Sequence, residues 1–425
     1  MLKEHLANLI HKGAFLKSMS IVKDTNQTEK SFKTDEMVIN MGPQHPSTHG
    51  VLRLILKLDG ETVKDCEPVI GYLHRGMEWL GQNRTYVQYQ ALVDRVDYLA
   101  GMSDSHAYIL AIEKIANIKV PLRAEYIRII CSELNRIISH LLWLGIFMLD
   151  LGAMMGFPFY TFRDRETILS FLEEISGQRM MFNYIRIGGV FKDLPKGWTR
   201  KVKKWINEEF FKYVDEYEAI ATNNPIFLVR TQNVGYLDPK LAVSYGVTGP
   251  NLRASGFDLD LRKHNPYSVY DKLKFNVPTL TSGDTFSRYK CRIEELRESA
   301  KLVLQTIDKL PGGDTEDLEK NKIQLTSGDN PVYKAEDLMV VAKGKNVAPA
   351  FKCPLGEAYA AVESPRGQLG VHLIADGSAV PYRLKWRSPS FNNVSILPEL
   401  VKGHPVADTV AIFSSLDVIL PDVDR

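Results

Sequence analysis

The middle of this chain carries its longest helical pattern. Residues 86–117 contain no proline and one glycine, Gly101, and their apolar residues recur at the spacing of one helix face. A second segment begins at Pro121, a residue suited to the first turn of a helix, and continues to about Leu149. Further helices are predicted at residues 163–181, 201–222 and 284–310. We therefore expect a body of long, packed helices.

Strand patterns flank this helical centre on both sides. Leucine occupies every second position from Leu52 to Leu58, and Asp59-Gly60 then supplies a hairpin turn before a return strand at 61–70. Near the C-terminus, short strands are predicted at residues 358–362, 368–374 and 381–386. The predicted fold class is α+β, mainly α: a long-helix bundle with small antiparallel β-sheets near both ends.

The predicted divisions of the chain follow these patterns. They are an N-terminal extension (1–35), a β-hairpin region with a histidine-bearing loop (36–70), a helical core (71–330) and a C-terminal β-rich segment with its tail (331–425). The most apolar window, 141–155, is interrupted by Asp150 and followed by Pro158. Because a membrane span needs ~20 apolar residues, we expect a buried helix there.

The charge balance and the cysteine positions exclude several classes of function. Lys and Arg total 53 against 51 Asp and Glu, a balance that argues against a nucleic-acid binder held by bulk charge. The four cysteines are far apart and none has the C-x-x-C spacing, so neither disulfides nor a metal or iron–sulfur site of the chain's own is expected. No G-x-G-x-x-G follows a strand, which argues against bound NAD.

The segment 41–50 is the most unusual loop of the sequence. It places His45 and His49 among glycine and proline residues, which predicts a shaped loop that can aim imidazoles into a cavity. A rigid turn whose histidines only satisfy nearby backbone is the alternative. Other motifs follow in order: GYLHRGME (71–78), DRVDY (94–98), LDLGA (149–153), GVTGP (246–250), ESPRG (363–367) and VDR (423–425).

In this order, the motifs resemble the quinone-site subunit of proton-pumping NADH:quinone oxidoreductase, respiratory complex I, over residues 36–425. That family is similar to the nickel–iron hydrogenase large subunit, whose metals are held by two C-x-x-C pairs. The corresponding segments here, 73–78 and 416–423, contain no cysteine, so hydrogenase activity is excluded on ligand chemistry. The resemblance assigns the emptied cavity to quinone.

The resemblance implies roles for individual residues. His49 and Tyr98 match the ligands of the quinone head group, where imidazolium and phenol donate to the two carbonyl oxygens. Asp150 matches the partner of His49, although a structural carboxylate held by backbone amides or an arginine is the alternative. His45 is expected to brace the loop.

A second group of residues would face a neighbouring subunit. Arg75 and Arg95 match arginines near the terminal [4Fe–4S] cluster of a partner subunit; ordinary surface ion pairs are the alternative. Met181 stands where some relatives carry histidine, so the cluster potential should depend only weakly on pH. Asp97 either balances the arginine charge or forms a structural helix pair.

The resemblance also implies an assembly. Quinone would be the substrate, the cluster would belong to the partner, and the chain itself would bind no NAD, FMN or metal. Partners would include other peripheral-arm subunits and a membrane-arm subunit, on the cytoplasmic face of a bacterial inner membrane or the mitochondrial matrix face. Two alternatives stay open: a same-scaffold subunit of a ferredoxin- or deazaflavin-oxidising quinone reductase, and a non-catalytic assembly scaffold.

Overall fold

The computed structural model describes residues 36–45, 50–152, 156–312 and 351–425. Its first element is an antiparallel sheet of β1 (Met37–Met41), β2 (Arg53–Asp59) and β3 (Thr62–Val69), in that order. The alternating leucines from Leu52 to Leu58 are buried, as the pattern predicted, because successive side chains of a strand point to opposite faces. Pairing of Asp59 with Thr62 closes the predicted hairpin.

Helices make up the centre of the chain. In chain order they are α1 (Met77–Gly81), α2 (Tyr86–Val93), α3 (Gly101–Ala116), α4 (Leu122–Asp150), α5 (Phe157–Ser176), α6 (Trp198–Trp205), α7 (Phe211–Ala221), α8 (Pro225–Thr231), α9 (Pro239–Ser244), α10 (Pro250–Arg253), α11 (Leu261–His264) and α12 (Thr285–Asp308). A π-helical segment, Ile206–Phe210, joins α6 to α7, and Tyr270–Lys272 forms a 3-10 turn.

Helix α4 is the axis of the core and packs against α5 and α12. It is the one helix of the described residues that is long and apolar enough to cross a membrane, yet 89% of its most apolar window is buried inside the fold. The prediction of a buried helix in the window 141–155 is confirmed as far as Asp150, where the helix ends, and residues 153–155 lie outside the described residues. Pro121 precedes the first turn of the helix, one position earlier than the first-turn place predicted for it.

The second half of the chain adds two further sheets. A ribbon of β4 (Ile185–Arg186) and β5 (Gly189–Val190) was not predicted. The C-terminal sheet pairs β6 (Gly356–Ser364), β7 (Gly367–Ala375) and β8 (Arg383–Arg387) in antiparallel order, close to the predicted strands. Short helices follow: α13 (Pro389–Ser395), α14 (Leu397–Val401), α15 (Val406–Ser415) and α16 (Leu420–Val423).

The prediction of a continuous helical segment at residues 86–117 was wrong, because the chain leaves the helix between α2 and α3. Here side-chain carboxylates replace helical hydrogen bonds. Asp97 accepts from the backbone N–H of Leu99 at 3.2 Å, and Asp104 accepts from the N–H of Asp97 at 2.7 Å. The buried carboxylate of Asp94 accepts from the N–H of Asn183 at 2.6 Å.

The helix predicted at 163–181 also differs. Pro158 stands in the first turn of α5 rather than blocking a helix, and Gly177, in the left-handed conformation, ends it. The broader prediction of a mixed fold, with helices in the centre and small antiparallel sheets near both ends, is confirmed. The predicted divisions at residues 35, 70 and 330 stay predictions.

Candidate quinone-binding site

The segment between α2 and α3 carries Tyr98 to the edge of a cavity. The cavity measures about 290 Å³, close to the lower end of the range for small-molecule sites. Its lining comes from Tyr98 and Leu99, from α4, from the β6–β7 turn and from the connection between α15 and α16. The residues are Tyr98, Leu99, Leu142, Trp143, Ile146, Arg366, Asp417, Val418 and Ile419. Aliphatic and aromatic side chains dominate, with one phenol, one guanidinium and one carboxylate among them.

Arg366 supplies the positive charge of this cavity. It sits in the two-residue turn between β6 and β7, and its side chain is fully buried. Its Nη1 lies 2.6 Å from Oδ2 of Asp97, and its Nη2 lies 3.3 Å from Oδ1 of Asp417. Asp97 therefore forms an ion pair with Arg366 of this turn, a partner that the sequence did not predict.

The turn that holds Arg366 is fixed by a close approach of two glycines. A Cβ on Gly249 would stand 2.4 Å from the Cα of Gly367 and 2.9 Å from the carbonyl oxygen of Arg366. Gly249 has φ +70°, a conformation that residues with side chains rarely adopt. The motifs at 246–250 and 363–367 thus contact each other, and both glycines are required by geometry.

Electrostatics favour a protonated phenol in the cavity. Burial raises the pKa of Tyr98, the charge of Asp97 adds to that effect, and Arg366 and Arg75 oppose it. Burial also raises the pKa of Asp97 to about 6 despite Arg366, and raises that of Asp104 well above its usual range. Tyr98 can therefore act as a hydrogen-bond donor to a bound oxygen at neutral pH.

Asp150 lies on the cavity side of α4. It follows Ile146 by four residues and Trp143 by seven, so all three share one helix face. The hydroxyl of Ser414 donates to Oδ2 of Asp150 at 2.8 Å, and Nε1 of Trp143 donates to the carbonyl of Ser414 at 2.7 Å. The carboxylate is thus held at the end of the wall that Trp143 and Ile146 form.

The histidine loop is described only at its base. His45 and Gly50 form an antiparallel bridge, and a Cβ on Gly50 would stand 3.0 Å from Leu420, which follows the cavity residue Ile419. The base of the loop therefore lies against the segment that provides one cavity wall. His49 lies outside the described residues, so its pairing with Asp150 stays a prediction.

Arg75 contacts the backbone at Arg95, and Arg95 lies near Met181. Nη1 of Arg75 donates to the carbonyl of Arg95 at 2.6 Å, and Nη1 of Arg95 donates to the carbonyl of Ala91 at 2.6 Å. Arg95 and Met181 line one surface cavity of about 420 Å³. Neither guanidinium pairs with a carboxylate among the residues described, and the two roles predicted for these arginines stay predictions.

Residues 71–75 contact the C-terminal segment 421–424. Nη2 of Arg75 donates to the carbonyl of Pro421 at 2.9 Å. The backbone N–H groups of Gly71 and Leu73 each donate to Asp424 at 2.8 Å, and the ring of His74 bonds its carbonyl. Across the described part of the chain, no three His, Cys, Asp or Glu side chains are grouped as ligands for a metal.

Sequence reasoning missed several residues of the cavity. Arg366 stood within a quoted motif, but nothing in the sequence showed that its side chain would turn inwards. Trp143 was predicted only to lie in a buried helix, and Asp417 only to lie in a segment that lacks cysteine. Their positions depend on contacts between segments far apart in the chain.

Comparison with known proteins decides the family. The profile described as "Respiratory-chain NADH dehydrogenase, 49 Kd subunit" matches residues 150–425. The chain belongs to this family. The resemblance inferred from the ordered motifs is confirmed, and the match to the 49 kDa-subunit family includes Asp150, Arg366, Asp417 and Asp424.

Individual relatives match this chain over nearly its whole length. The chain is 50% identical to an NAD(P)H-quinone oxidoreductase subunit of Gloeobacter violaceus, over 92% of this chain and 98% of that protein. It is 51% identical to a chloroplastic NAD(P)H-quinone oxidoreductase subunit of Mesostigma viride, over 92% and 99%. It is 47% identical to an NADH-quinone oxidoreductase subunit of Koribacter versatilis, over 92% and 96%.

Proposed function

We propose that this chain is the subunit of NADH:quinone oxidoreductase that binds the quinone head group. The observation that carries the proposal is the cavity itself, in which the phenol of Tyr98 faces a largely apolar space beside the guanidinium of Arg366. A flat, weakly polar ring with two carbonyl oxygens requires this combination of apolar walls and few donors. The names of the relatives, which are subunits of quinone oxidoreductases, support the same function.

The reduction of quinone takes up two electrons and two protons. In our proposal Tyr98 and His49 donate hydrogen bonds to the two carbonyl oxygens and provide the protons as negative charge develops on them. Asp150 orients His49 and raises its basicity through a carboxylate–imidazole pair. The loss of the proton from His49 then leaves Asp150 as an uncompensated anion, which is the charge change we couple to proton pumping.

The electrons would enter beside Arg75 and Arg95. These two arginines lie without carboxylate partners among the described residues, beside the cavity lined by Met181. A cation next to an iron–sulfur cluster stabilises its reduced, more negative form. We therefore place the [4Fe–4S] cluster of a partner subunit against this face, with His45 bracing the loop that closes the quinone side.

The remaining assignments concern the assembly. We place the chain in the peripheral arm, in contact with the cluster-bearing subunit, other peripheral subunits and the membrane-arm subunit at which quinone enters. This corresponds to the cytoplasmic face of a bacterial inner membrane or the matrix face of the mitochondrial membrane. NADH would be oxidised by other subunits.

The test is Tyr98→Phe in the assembled complex, assayed as electron transfer from NADH to quinone. Loss of a donor that stabilises developing negative charge should lower kcat by about 10²–10³-fold. Tyr289→Phe is the matched control, because Tyr289 is buried, bonds Thr222 at 2.9 Å and does not line the cavity. Normal quinone reduction by Tyr98→Phe, or failure of a photoreactive quinone to label the cavity walls, would contradict the proposal and favour the scaffold alternative.

A further inference from the structure

One serine behind the cavity wall is hydrogen-bonded to three residues of the site. Ser414 lies in the last turn of α15 and is fully buried. It is not among the residues that line the cavity, but it bonds two that are, Trp143 and Asp417. It also bonds Asp150. None of the sequence motifs includes this serine, so only the fold reveals its position.

The backbone carbonyl of Ser414 holds the cavity wall. Carbonyl groups in the last turn of a helix lack their usual helical partners and can accept other donors. That of Ser414 accepts from Nε1 of Trp143 at 2.7 Å and from the backbone N–H of Asp417 at 3.3 Å. The wall at Trp143 and Asp417 is therefore attached to the end of α15.

The indole ring of Trp143 is held in one orientation by two further contacts. It stacks on the ring of Phe147, with centroids 4.9 Å apart and an interplanar angle of 15°. The guanidinium of Arg292 lies 4.4 Å from its centroid. Both contacts depend on the orientation of the ring, so they also fix the direction of its Nε1–H. The hydrogen bond from Nε1 thus joins Ser414 to a rigid part of the wall.

The side chain of Ser414 acts on a different residue. Its hydroxyl donates to Oδ2 of Asp150 at 2.8 Å, across 264 positions of the chain. A hydrogen bond to an ionised group is about twice as strong as one between neutral groups. The hydroxyl therefore stabilises the carboxylate and limits its orientation. Because the hydroxyl and the carbonyl belong to one buried residue, the place of Asp150 is fixed relative to Trp143 and Asp417.

We propose that Ser414 is a positioning residue for quinone reduction, which holds the carboxylate of Asp150 in a set place relative to the cavity wall at Trp143 and Asp417. The inference rests on the proposed function, in which Asp150 orients the imidazole that donates to quinone. Ser414 touches neither the substrate nor the reacting atoms, and it neither gains nor loses a proton. When Asp150 becomes the uncompensated anion of the proposed cycle, the hydroxyl of Ser414 stays hydrogen-bonded to it.

Ser414→Ala in the assembled complex separates the two contacts of this residue. The variant loses the hydroxyl but keeps the backbone carbonyl, so Trp143 and Asp417 keep their acceptor and the KM for quinone should not change. With Asp150 held less firmly, kcat for quinone reduction should fall by about 10- to 100-fold, because a small misplacement at a reacting site costs up to about 10²-fold. Ser414→Thr restores a hydroxyl and should recover most of the activity.

Thr409→Val is the matched control. Thr409 lies on the same helix, is equally buried, and its hydroxyl has no hydrogen-bond partner among the described residues. Removal of that hydroxyl should leave both kcat and KM at their parental values. The comparison therefore separates the loss of the bond to Asp150 from the loss of a buried hydroxyl in α15.

A parental kcat in Ser414→Ala would overturn the positioning role, and so would a rise in KM that accompanies the fall in kcat, or an equal loss of activity in Ser414→Ala and Ser414→Thr. The last two results indicate a merely structural serine. With Tyr98→Phe inactive as expected, each of them leaves the quinone site intact, whereas an active Tyr98→Phe would overturn the proposed function. If Ser414→Ala fails to assemble, Ser414→Cys decides: its thiol is a weaker donor, so kcat should fall at constant KM, and a parental kcat would overturn the proposal.

Discussion

Asp424 joins residues 71–73 to the C-terminal segment of the chain. Its carboxylate accepts from the backbone N–H groups of Gly71 and Leu73, both at 2.8 Å, and 6% of the residue is exposed. Asp424→Asn preserves the shape of the side chain but exchanges one acceptor oxygen for an NH₂ group. One of the two N–H groups then faces a donor and loses its hydrogen bond.

The free-energy cost of Asp424→Asn follows from the loss of that one hydrogen bond. A hydrogen bond to a charged group contributes about 1.5–3 kcal/mol. Because 1.36 kcal/mol corresponds to a factor of ten, local opening of residues 71–75 should become about 10- to 150-fold more frequent. The contact of Arg75 with the carbonyl of Pro421 depends on the same segment, so we also expect slower quinone reduction.

Hydrogen exchange followed by mass spectrometry on the assembled complex measures this opening directly. Asp376→Asn is the matched control, because Asp376 also accepts a backbone N–H, that of Ser378 at 2.9 Å, but is exposed. Its own turn should change by no more than about twofold. Parental exchange at residues 71–75 in Asp424→Asn would refute the reasoning, because the segment would then be held by other contacts.

Further predictions concern the glycine contact, the cysteines and the two sides of the site. Gly249→Ala should destabilise the chain by about 2–6 kcal/mol, from overpacking and backbone strain together. Gly60 has φ +61° but open space around it, so Gly60→Ala should cost only the backbone strain. Equal thermal inactivation of the two variants would be inconsistent with this account. The four native thiols should resist iodoacetamide at pH 8, because burial raises their pKa values and leaves little reactive thiolate. They are Cys66 (pKa about 12), Cys131, Cys291 (about 12) and Cys353 (about 11). Rapid labelling before denaturation would contradict this prediction. With Met181 beside the cluster face, the potential of the terminal cluster should vary between pH 6 and 8 by much less than about 59 mV per unit, the value for one proton per electron. Asp150→Asn should impair proton pumping more than assembly, so an unchanged pumping stoichiometry and rate would rule out its coupling role.

The sequence was sufficient for elements that depend on local pattern. The alternating leucines of β2 are a local signal, and β2, β6 and β7 formed close to the predicted positions. The break around Asp97 was not predictable, because the competing hydrogen bonds come from Asp104, seven residues later, and from packing. A short run of polar residues inside a helical pattern does not reveal which carboxylate will replace the backbone acceptor.

At the site, too, some residues could be predicted from the sequence and others could not. The motifs singled out Tyr98, Arg75 and Arg95, whose roles stay predictions, and the structure shows a hydrogen bond from Arg75 to the backbone of Arg95. The ion pairs of Arg366 were hidden, because Asp97 lies 269 positions away along the chain. Contacts of that range depend on the completed fold and leave no periodic trace in the sequence.

The distance along the chain between Gly71 and Asp424 has a consequence for biogenesis. The two residues are 353 positions apart, so the polypeptide between them must be synthesised and largely organised before they can bond. Helices and hairpins can form earlier from neighbouring residues. The pocket is therefore expected to mature late, and a chain arrested before that closure would have most of its secondary structure but no place for the lipid substrate.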